Sequence, residues 1–126
     1  TLKGQTVFLA ERCAELMNDH IITDRTIIDV MAFTMNAKSI PHQDKDIFEQ
    51  YAKEFLREYD YIFYISPYGL PIEDNGVRET DEHYRDLIDF TITTLIKRYA
   101  HMMENVETIK GTTEERIHQM LRVISS

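Results

Sequence analysis

Cysteine, glycine and proline are scarce in this sequence. Cys13 is the single cysteine among 126 residues, which excludes a disulfide framework and favours a reduced, cytoplasmic setting. Four glycines and three prolines leave few interruptions, so we expect long helices. No apolar run approaches the length that crosses a bilayer, and no signal-peptide pattern opens the sequence, so no membrane partner is expected.

Positive charge is also in short supply. Lys and Arg total 14 against 22 Asp and Glu, which gives a net charge of −8. A nucleic-acid groove needs a broad basic face, so nucleic acid is not an expected partner. A small phosphorylated ligand needs only a few placed cations and stays open. The five histidines show no metal-ligand spacing, so the sequence predicts no metal site of its own.

Helix-period segments alternate with short apolar runs. The runs at 21–24, 61–66 and 106–109 are predicted as strands. Three strands alternating with helices predict an α/β fold, with a parallel sheet covered on both faces in one domain over 1–126. Two helix starts carry the spacing of a capping box, Thr26 with Asp29 and Thr112 with Glu115.

Apolar positions at helical spacing are predicted to face the core in three of the helices. They are Ile47, Phe48, Tyr51, Phe55 and Tyr59 in a helix over 43–59; Tyr84, Leu87, Ile88, Thr91, Leu95 and Tyr99 in a helix capped by Thr80; and Ile117, Met120, Leu121 and Ile124 in the last helix.

Polar residues follow each predicted strand, at the edge where open α/β sheets bind ligands. After the first strand, Asp24 could contact a substrate hydroxyl or metal-bound water, and Arg25 could grip an anion. The alternative is a strand-to-helix turn with a salt bridge and a cap at Thr26. After the last strand, Gly111 permits close approach to a flat ligand, but Gly111 and Thr112 are also ordinary turn and cap residues.

Arg78 and Arg85 flank the predicted cap at Thr80. A cation near a helix N-terminus is mildly disfavoured by the dipole, which is understandable if an anion joins it there. The alternative is an exposed pair of Arg85 with a carboxylate one turn back. The preceding segment contains Gly and Pro and suits a lid over about 67–85 that closes on phosphates.

Three segments together resemble P-loop nucleoside and nucleotide kinases of the AAA-type, nicotinamide-riboside-kinase-like group. The resemblance spans nearly all of the chain. The first segment is Asp24-Arg25-Thr26, which resembles the group's strand-end motif. The second is the strand Tyr61–Ile65, followed by Asp74-Asn75-Gly76-Val77-Arg78 and Tyr84-Arg85. The third is similar to the group's segment beside adenine and reads Lys110-Gly111-Thr112-Thr113-Glu114-Glu115-Arg116.

The resemblance implies ATP-dependent phosphoryl transfer to a nucleoside-like or nucleotide-like small molecule, with ATP and Mg²⁺ as cofactors. It implies catalytic roles near the acceptor hydroxyl and the transferring phosphoryl group, an adenine pocket, and a contact to the acceptor. The residues concerned are Asp24, Arg25, Arg78 and Arg85 for catalysis, Gly111 and Thr112 for adenine, and Gln5 and Arg25 for the acceptor.

The phosphate-binding loop of these kinases is missing from the sequence. No G-x-x-x-x-G-K-[ST] occurs, so the resemblance implies that the first strand, its loop and the next helix would precede Thr1. They would come from a longer parent chain or from another chain, and a homo-oligomer stays open as a separate possibility. The competing interpretation is a non-catalytic or split kinase-like module that acts through protein–protein contact.

Overall fold

The computed structural model describes residues 1–16, 22–23, 25–66 and 82–125. The predictions for Asp24, for Arg78 and for the cap at Thr80 therefore lie outside the described residues, as does most of the lid. The described elements are α1 (Leu2–Leu16), α2 (Ile27–Met35), α3 (His42–Ala52), β1 (Ile62–Ile65), α4 (Glu82–Arg98), β2 (Val106–Ile109) and α5 (Thr113–Ile124), with 3-10 turns at Lys53–Glu58 and Ala100–Met102.

The two strands β1 and β2 form a parallel pair. Ile62 is opposite Val106 and Ile65 is opposite Ile109. Helix α4 lies between the two strands in sequence, as a parallel connection requires. The protein is therefore mixed α/β, as predicted, but it is mostly helical and its described sheet has two strands. The carboxyl ends of β1 and β2 lie at the same edge of this sheet.

The prediction of a strand at 21–24 is wrong for residues 22 and 23, the two of its residues that the structure describes. Ile22 and Thr23 are not in a strand, and Ile22 is 96% exposed instead of buried. A strand needs a neighbour for its backbone groups. Within the described ranges, β1 and β2 pair only with each other, which leaves no edge occupied by residues 22–23.

The core is centred on α2, which packs against α1, α3 and α4. Six of its nine residues are buried, because apolar side chains surround it on nearly every side. The fully buried side chains around it include Leu56 after α3 and Leu95 on α4. Removing this apolar area from water is the main favourable term that holds the helices together.

Both predicted capping boxes are confirmed. The Thr26 hydroxyl accepts a hydrogen bond from the N–H of Ile28, and the carboxylate of Asp29 accepts one from the N–H of Thr26 at 2.9 Å. At α5, the Thr112 hydroxyl accepts a hydrogen bond of 3.2 Å from the N–H of Glu115. Each box satisfies N–H groups that have no partner inside the helix.

The prediction that α5 buries its apolar face is wrong. Ile117, Leu121 and Ile124 are exposed, and Met120 is only half-buried. The helix contacts β2, but none of its residues is buried. The sequence pattern correctly indicated an amphipathic helix, yet no described element covers its apolar stripe.

Two other predicted core stripes need smaller corrections. On α3, Ile47 and Tyr51 are exposed while Phe48 is buried, and the segment after α3 is a 3-10 turn instead of a continuation of the helix. On α4, the first two turns project from the core, so Tyr84 and Leu87 are exposed. The other predicted core positions with buried side chains are Tyr59, Ile88, Leu95 and Tyr99. In the described part of the chain, no helix is both long and apolar enough to cross a membrane.

Candidate functional site

A cleft of about 300 Å³ lies between α1 and α2. Its α1 wall comes from residues spaced three or four apart, which places them on one face of the helix. The α2 wall is built in the same way and begins at the segment that leads into the helix. The cleft is lined by Gln5, Phe8, Glu11, Arg12, Arg25, Asp29, Val30 and Phe33.

Two guanidinium groups give the cleft its positive charge. Arg12 is half-buried and already paired, with Nη1 3.1 Å from the Glu15 carboxylate and Nη2 3.8 Å from that of Glu11. Arg25 is exposed, and the guanidinium makes no ion pair with any residue the structure describes. Arg25 is therefore the cation with donors left over for an anionic ligand, and a guanidinium can hold a carboxylate or phosphate with two parallel hydrogen bonds.

The side chain of Gln5 contacts a buried threonine, Thr34. The Thr34 hydroxyl lies 3.2 Å from the side-chain carbonyl oxygen of Gln5 and 2.8 Å from the backbone carbonyl of Val30. Thr34 is fully buried, although it is polar. The contact joins α1 to α2 across 29 positions of sequence and fixes one polar side chain at the cleft floor.

Asp29 also lines the cleft, but its carboxylate already has a structural role. One oxygen accepts the N–H of Thr26 in the capping box, 2.9 Å away. Negative charge near a helix N-terminus is favoured by the helix dipole. Asp29 therefore stabilises the start of α2, and the cleft's recognition chemistry falls to the remaining groups.

Two phenylalanine rings supply the apolar part of the cleft. Phe8 is half-exposed, and Phe33 is half-buried and packs against the Tyr84 ring, with centroids 6.3 Å apart. This contact brings the first turn of α4 next to the cleft wall. Arg85 follows Tyr84 on that turn and is exposed, but it does not line the cleft.

The structure thus brings together two of the predicted site residues, Gln5 and Arg25, in one cleft. Gly111 and Thr112 lie elsewhere, at the turn between β2 and α5. Gly111 has φ of +103°, and Thr112 caps α5, so each has a structural reason to be there. Sequence reasoning missed Phe8, Arg12 and Phe33, although their spacing from other cleft residues was a usable signal.

Burial affects one thiol near this region. Cys13, one position beyond Arg12, packs against the core, and burial raises the pKa of its thiol. A raised pKa lowers the thiolate fraction and with it the reactivity. Cys13 is thus a packing residue at the edge of the core.

No protein-family model, no curated protein and no solved structure matches this chain. Among the described residues, no three His, Cys, Asp or Glu side chains are grouped so that they could hold a metal ion.

Proposed function

We propose that the α1–α2 cleft binds a nucleoside-like or nucleotide-like small molecule, as the acceptor side of an ATP-dependent phosphotransferase. The observation that carries the proposal is the meeting of Gln5 and Arg25 in one cleft beside two aromatic rings. These are the two residues for which the resemblance implied contact with the acceptor. They lie 20 positions apart in sequence, so only the fold can bring them together.

The side chains fit the parts of such a ligand. A planar base can stack on Phe8 or Phe33, since aromatic–base stacking contributes about 1–3 kcal/mol per base. Gln5 can form a hydrogen bond with the edge of the base. Arg25 can hold a phosphate group, because the guanidinium matches phosphate geometry. Apolar walls with a few placed polar groups are typical of small-molecule sites.

The donor side of the reaction is not assigned to particular atoms. Mg²⁺ bound with ATP would neutralise charge on the transferring phosphoryl group. The resemblance placed Arg78 over that group and Asp24 near the acceptor hydroxyl or the magnesium shell, and both residues lie outside the described part of the chain. The described residues form no metal cluster. Arg85 is described, and it follows Tyr84, whose ring contacts Phe33 in the cleft wall. In this function Arg85 would neutralise the negative charge of the transferring phosphoryl group.

The test is a titration with a nucleoside monophosphate and, separately, with inorganic phosphate, followed by NMR. We expect shift changes at Gln5, Phe8 and Phe33, and a large loss of affinity in Arg25→Ala. Arg57→Ala is the matched control, because Arg57 is an exposed arginine that does not line the cleft. The proposal fails if the monophosphate does not bind, or if Arg25→Ala and Arg57→Ala bind it equally well.

A second function is favoured by α5. Its apolar side chains Ile117, Leu121 and Ile124 form an exposed stripe. Exposed apolar patches often mark surfaces that contact other proteins. Under this function the chain is a non-catalytic interaction module. It predicts a sedimentation coefficient that rises with concentration and ceases to do so in Leu121→Glu, together with no nucleotide binding. A monomer that binds nucleotide in the cleft would exclude it.

A further inference from the structure

We infer that the carboxylate of Glu11 is a built-in competitor of the anionic ligand, and that Arg12, which it contacts, is a second anion-binding residue of the cleft. The phosphate group of the ligand displaces Glu11 and then lies between Arg12 and Arg25. This inference rests on the proposed function in taking the cleft as the binding site, but it concerns only the anionic group of the ligand and not the base.

The charged side chains of the cleft are unevenly paired. Arg12 lies on the α1 wall, and Arg25 lies in the segment that leads into α2. Of the two carboxylates that line the cleft, that of Asp29 is held by the N–H of Thr26 at 2.9 Å. Glu11 makes no hydrogen bond with any described residue, and its side chain is 56% exposed. Glu11 is therefore the anion of the cleft that can move at little cost.

The guanidinium of Arg12 is firmly held at one nitrogen and only weakly occupied at another. Nη1 lies 3.1 Å and 3.3 Å from the two carboxylate oxygens of Glu15, one turn further along α1. Nη2 lies 3.8 Å from the Glu11 carboxylate, which is too far for a hydrogen bond. Neighbouring residues of a helix do not face each other, which explains this long distance. In the described part of the chain, Nη2 therefore has N–H groups left for a closer acceptor.

The exchange of Glu11 for a phosphate oxygen is favourable. An exposed ion pair such as that of Glu11 with Arg12 stabilises little, whereas a charge-assisted hydrogen bond from Nη2 to phosphate is strong. The Arg12 side chain is only 21% exposed, so it is largely ordered before the ligand arrives and loses little conformational entropy on binding. Arg25 is available from the outset, and Arg12 becomes available once Glu11 moves.

The test is Glu11→Gln, which keeps the size of the side chain and removes its charge. We expect this variant to bind inorganic phosphate about fivefold more tightly than wild type in an NMR titration, the size of effect that one exposed ion pair gives. The matched control is Glu54→Gln. Glu54 is 55% exposed and lies 3.7 Å from Arg57, but it does not line the cleft, so its removal should leave the affinity unchanged.

Three results of this titration would overturn the inference. They are an affinity that Glu11→Gln does not raise, an equal rise in Glu54→Gln, and no binding of phosphate to either wild type or Glu11→Gln.

Arg12→Met separates competition from a general decrease in repulsion between Glu11 and phosphate. Methionine keeps an apolar stem for packing and removes the guanidinium. In this background Glu11→Gln should tighten phosphate binding by less than about twofold, because no guanidinium is left for Glu11 to occupy. An equal gain in both backgrounds would show that Glu11 acts by repulsion alone, which contradicts the inference.

The response of Arg12 is also visible in the wild-type protein, so the inference is decided even if Arg12→Met does not fold. Phosphate should shift the side-chain Nε–H signals of Arg12 and Arg25 and leave that of Arg57 unchanged. A shift of Arg25 without Arg12 would remove Arg12 from the binding site.

A comparison with uridine monophosphate distinguishes this inference from the proposed function. If the cleft binds phosphate with the expected responses of Glu11→Gln and Arg12 but binds uridine monophosphate no more tightly, the inference stands and the proposed function fails. If uridine monophosphate binds without any response of Arg12, the proposed function stands and the inference fails.

Discussion

The backbone N–H of Ile27 donates a hydrogen bond of 3.1 Å to the phenolic oxygen of Tyr59. Ile27 is the first residue of α2, where the N–H has no acceptor inside the helix. Both residues are buried, so no bulk water can replace this acceptor. Tyr59 therefore completes the start of α2, together with the capping box of Thr26 and Asp29.

Replacing Tyr59 with phenylalanine should lower the free energy of unfolding by about 1–3 kcal/mol, because it leaves a buried N–H without a partner. Urea denaturation followed by circular dichroism would measure the change. Tyr51→Phe is the matched control. Tyr51 is exposed, so the loss of its hydroxyl should leave the free energy of unfolding nearly unchanged. Equal stability of the two variants would contradict this role for Tyr59.

Alkaline pH should weaken the fold through the same residue. Burial raises the pKa of Tyr59 from 10.0 to about 12, an effect that the hydrogen bond from Ile27 partly offsets. Between these values the unfolded chain has lost the phenolic proton and the folded chain still holds it, so the folded state binds more protons and stability falls as pH rises. Complete titration would cost roughly 2–3 kcal/mol.

The measurement is the free energy of unfolding between pH 9 and pH 12. Wild type should lose stability more steeply than Tyr59→Phe over this window, because phenylalanine has no proton to lose. Other groups titrate in both proteins and cancel in the difference. Parallel curves for the two proteins would show that Tyr59 does not contribute to the alkaline transition.

Local signals in the sequence were sufficient for several elements. The capping boxes at Thr26 and Thr112 were predictable because their chemistry is complete within four residues. Strands β1 and β2 were predictable from short apolar, β-branched runs bounded by loop residues. Their parallel pairing followed from the helix between them.

Features that depend on distant partners were not predictable in the same way. An amphipathic pattern shows that a helix has an apolar face, but it does not show that another element covers that face, and α5 is the example. Ile22 is another, because a buried strand requires a neighbour that the sequence window does not contain. Gln5 and Arg25 were linked only through the resemblance, and the packing of α1 on α2 is what places them in one cleft with Phe8.

Gly111 should be intolerant of a side chain for two reasons. Its φ of +103° is a conformation that L side chains rarely adopt, and an added Cβ would lie 2.8 Å from a carboxylate oxygen of Glu115. Gly111→Ala should therefore destabilise the protein by about 1–3 kcal/mol, the usual cost of such strain. Adding Glu115→Ala should not restore wild-type stability, because it relieves the contact without changing φ and removes a member of the capping box.

The control for Gly111 is the helical glycine Gly4. A Cβ there would meet only the terminal hydroxyl of Thr1 at 3.2 Å, and alanine favours the helix over glycine by about 1 kcal/mol. Thermal unfolding should therefore separate the two alanine variants, with Gly111→Ala melting at a lower temperature than wild type and Gly4→Ala melting at no lower a temperature than wild type. A neutral Gly111→Ala would show that the turn before α5 adapts without strain.

The apolar stripe of α5 should contribute little to folding, in contrast to leucines of the core. Leu95 on α4 is 1% exposed, whereas Leu121 is 57% exposed. Leu95→Ala should cost about 2–5 kcal/mol, because it removes a buried side chain and leaves a cavity. Leu121→Ala should change stability by less than about 1 kcal/mol, since most of its surface is already in water. Chemical denaturation at low micromolar protein concentration measures both changes. A large loss of stability for Leu121→Ala would mean that another surface covers α5 in solution. Repeating the measurement at tenfold dilution would then separate a second copy, whose contribution depends on concentration, from contacts within the chain.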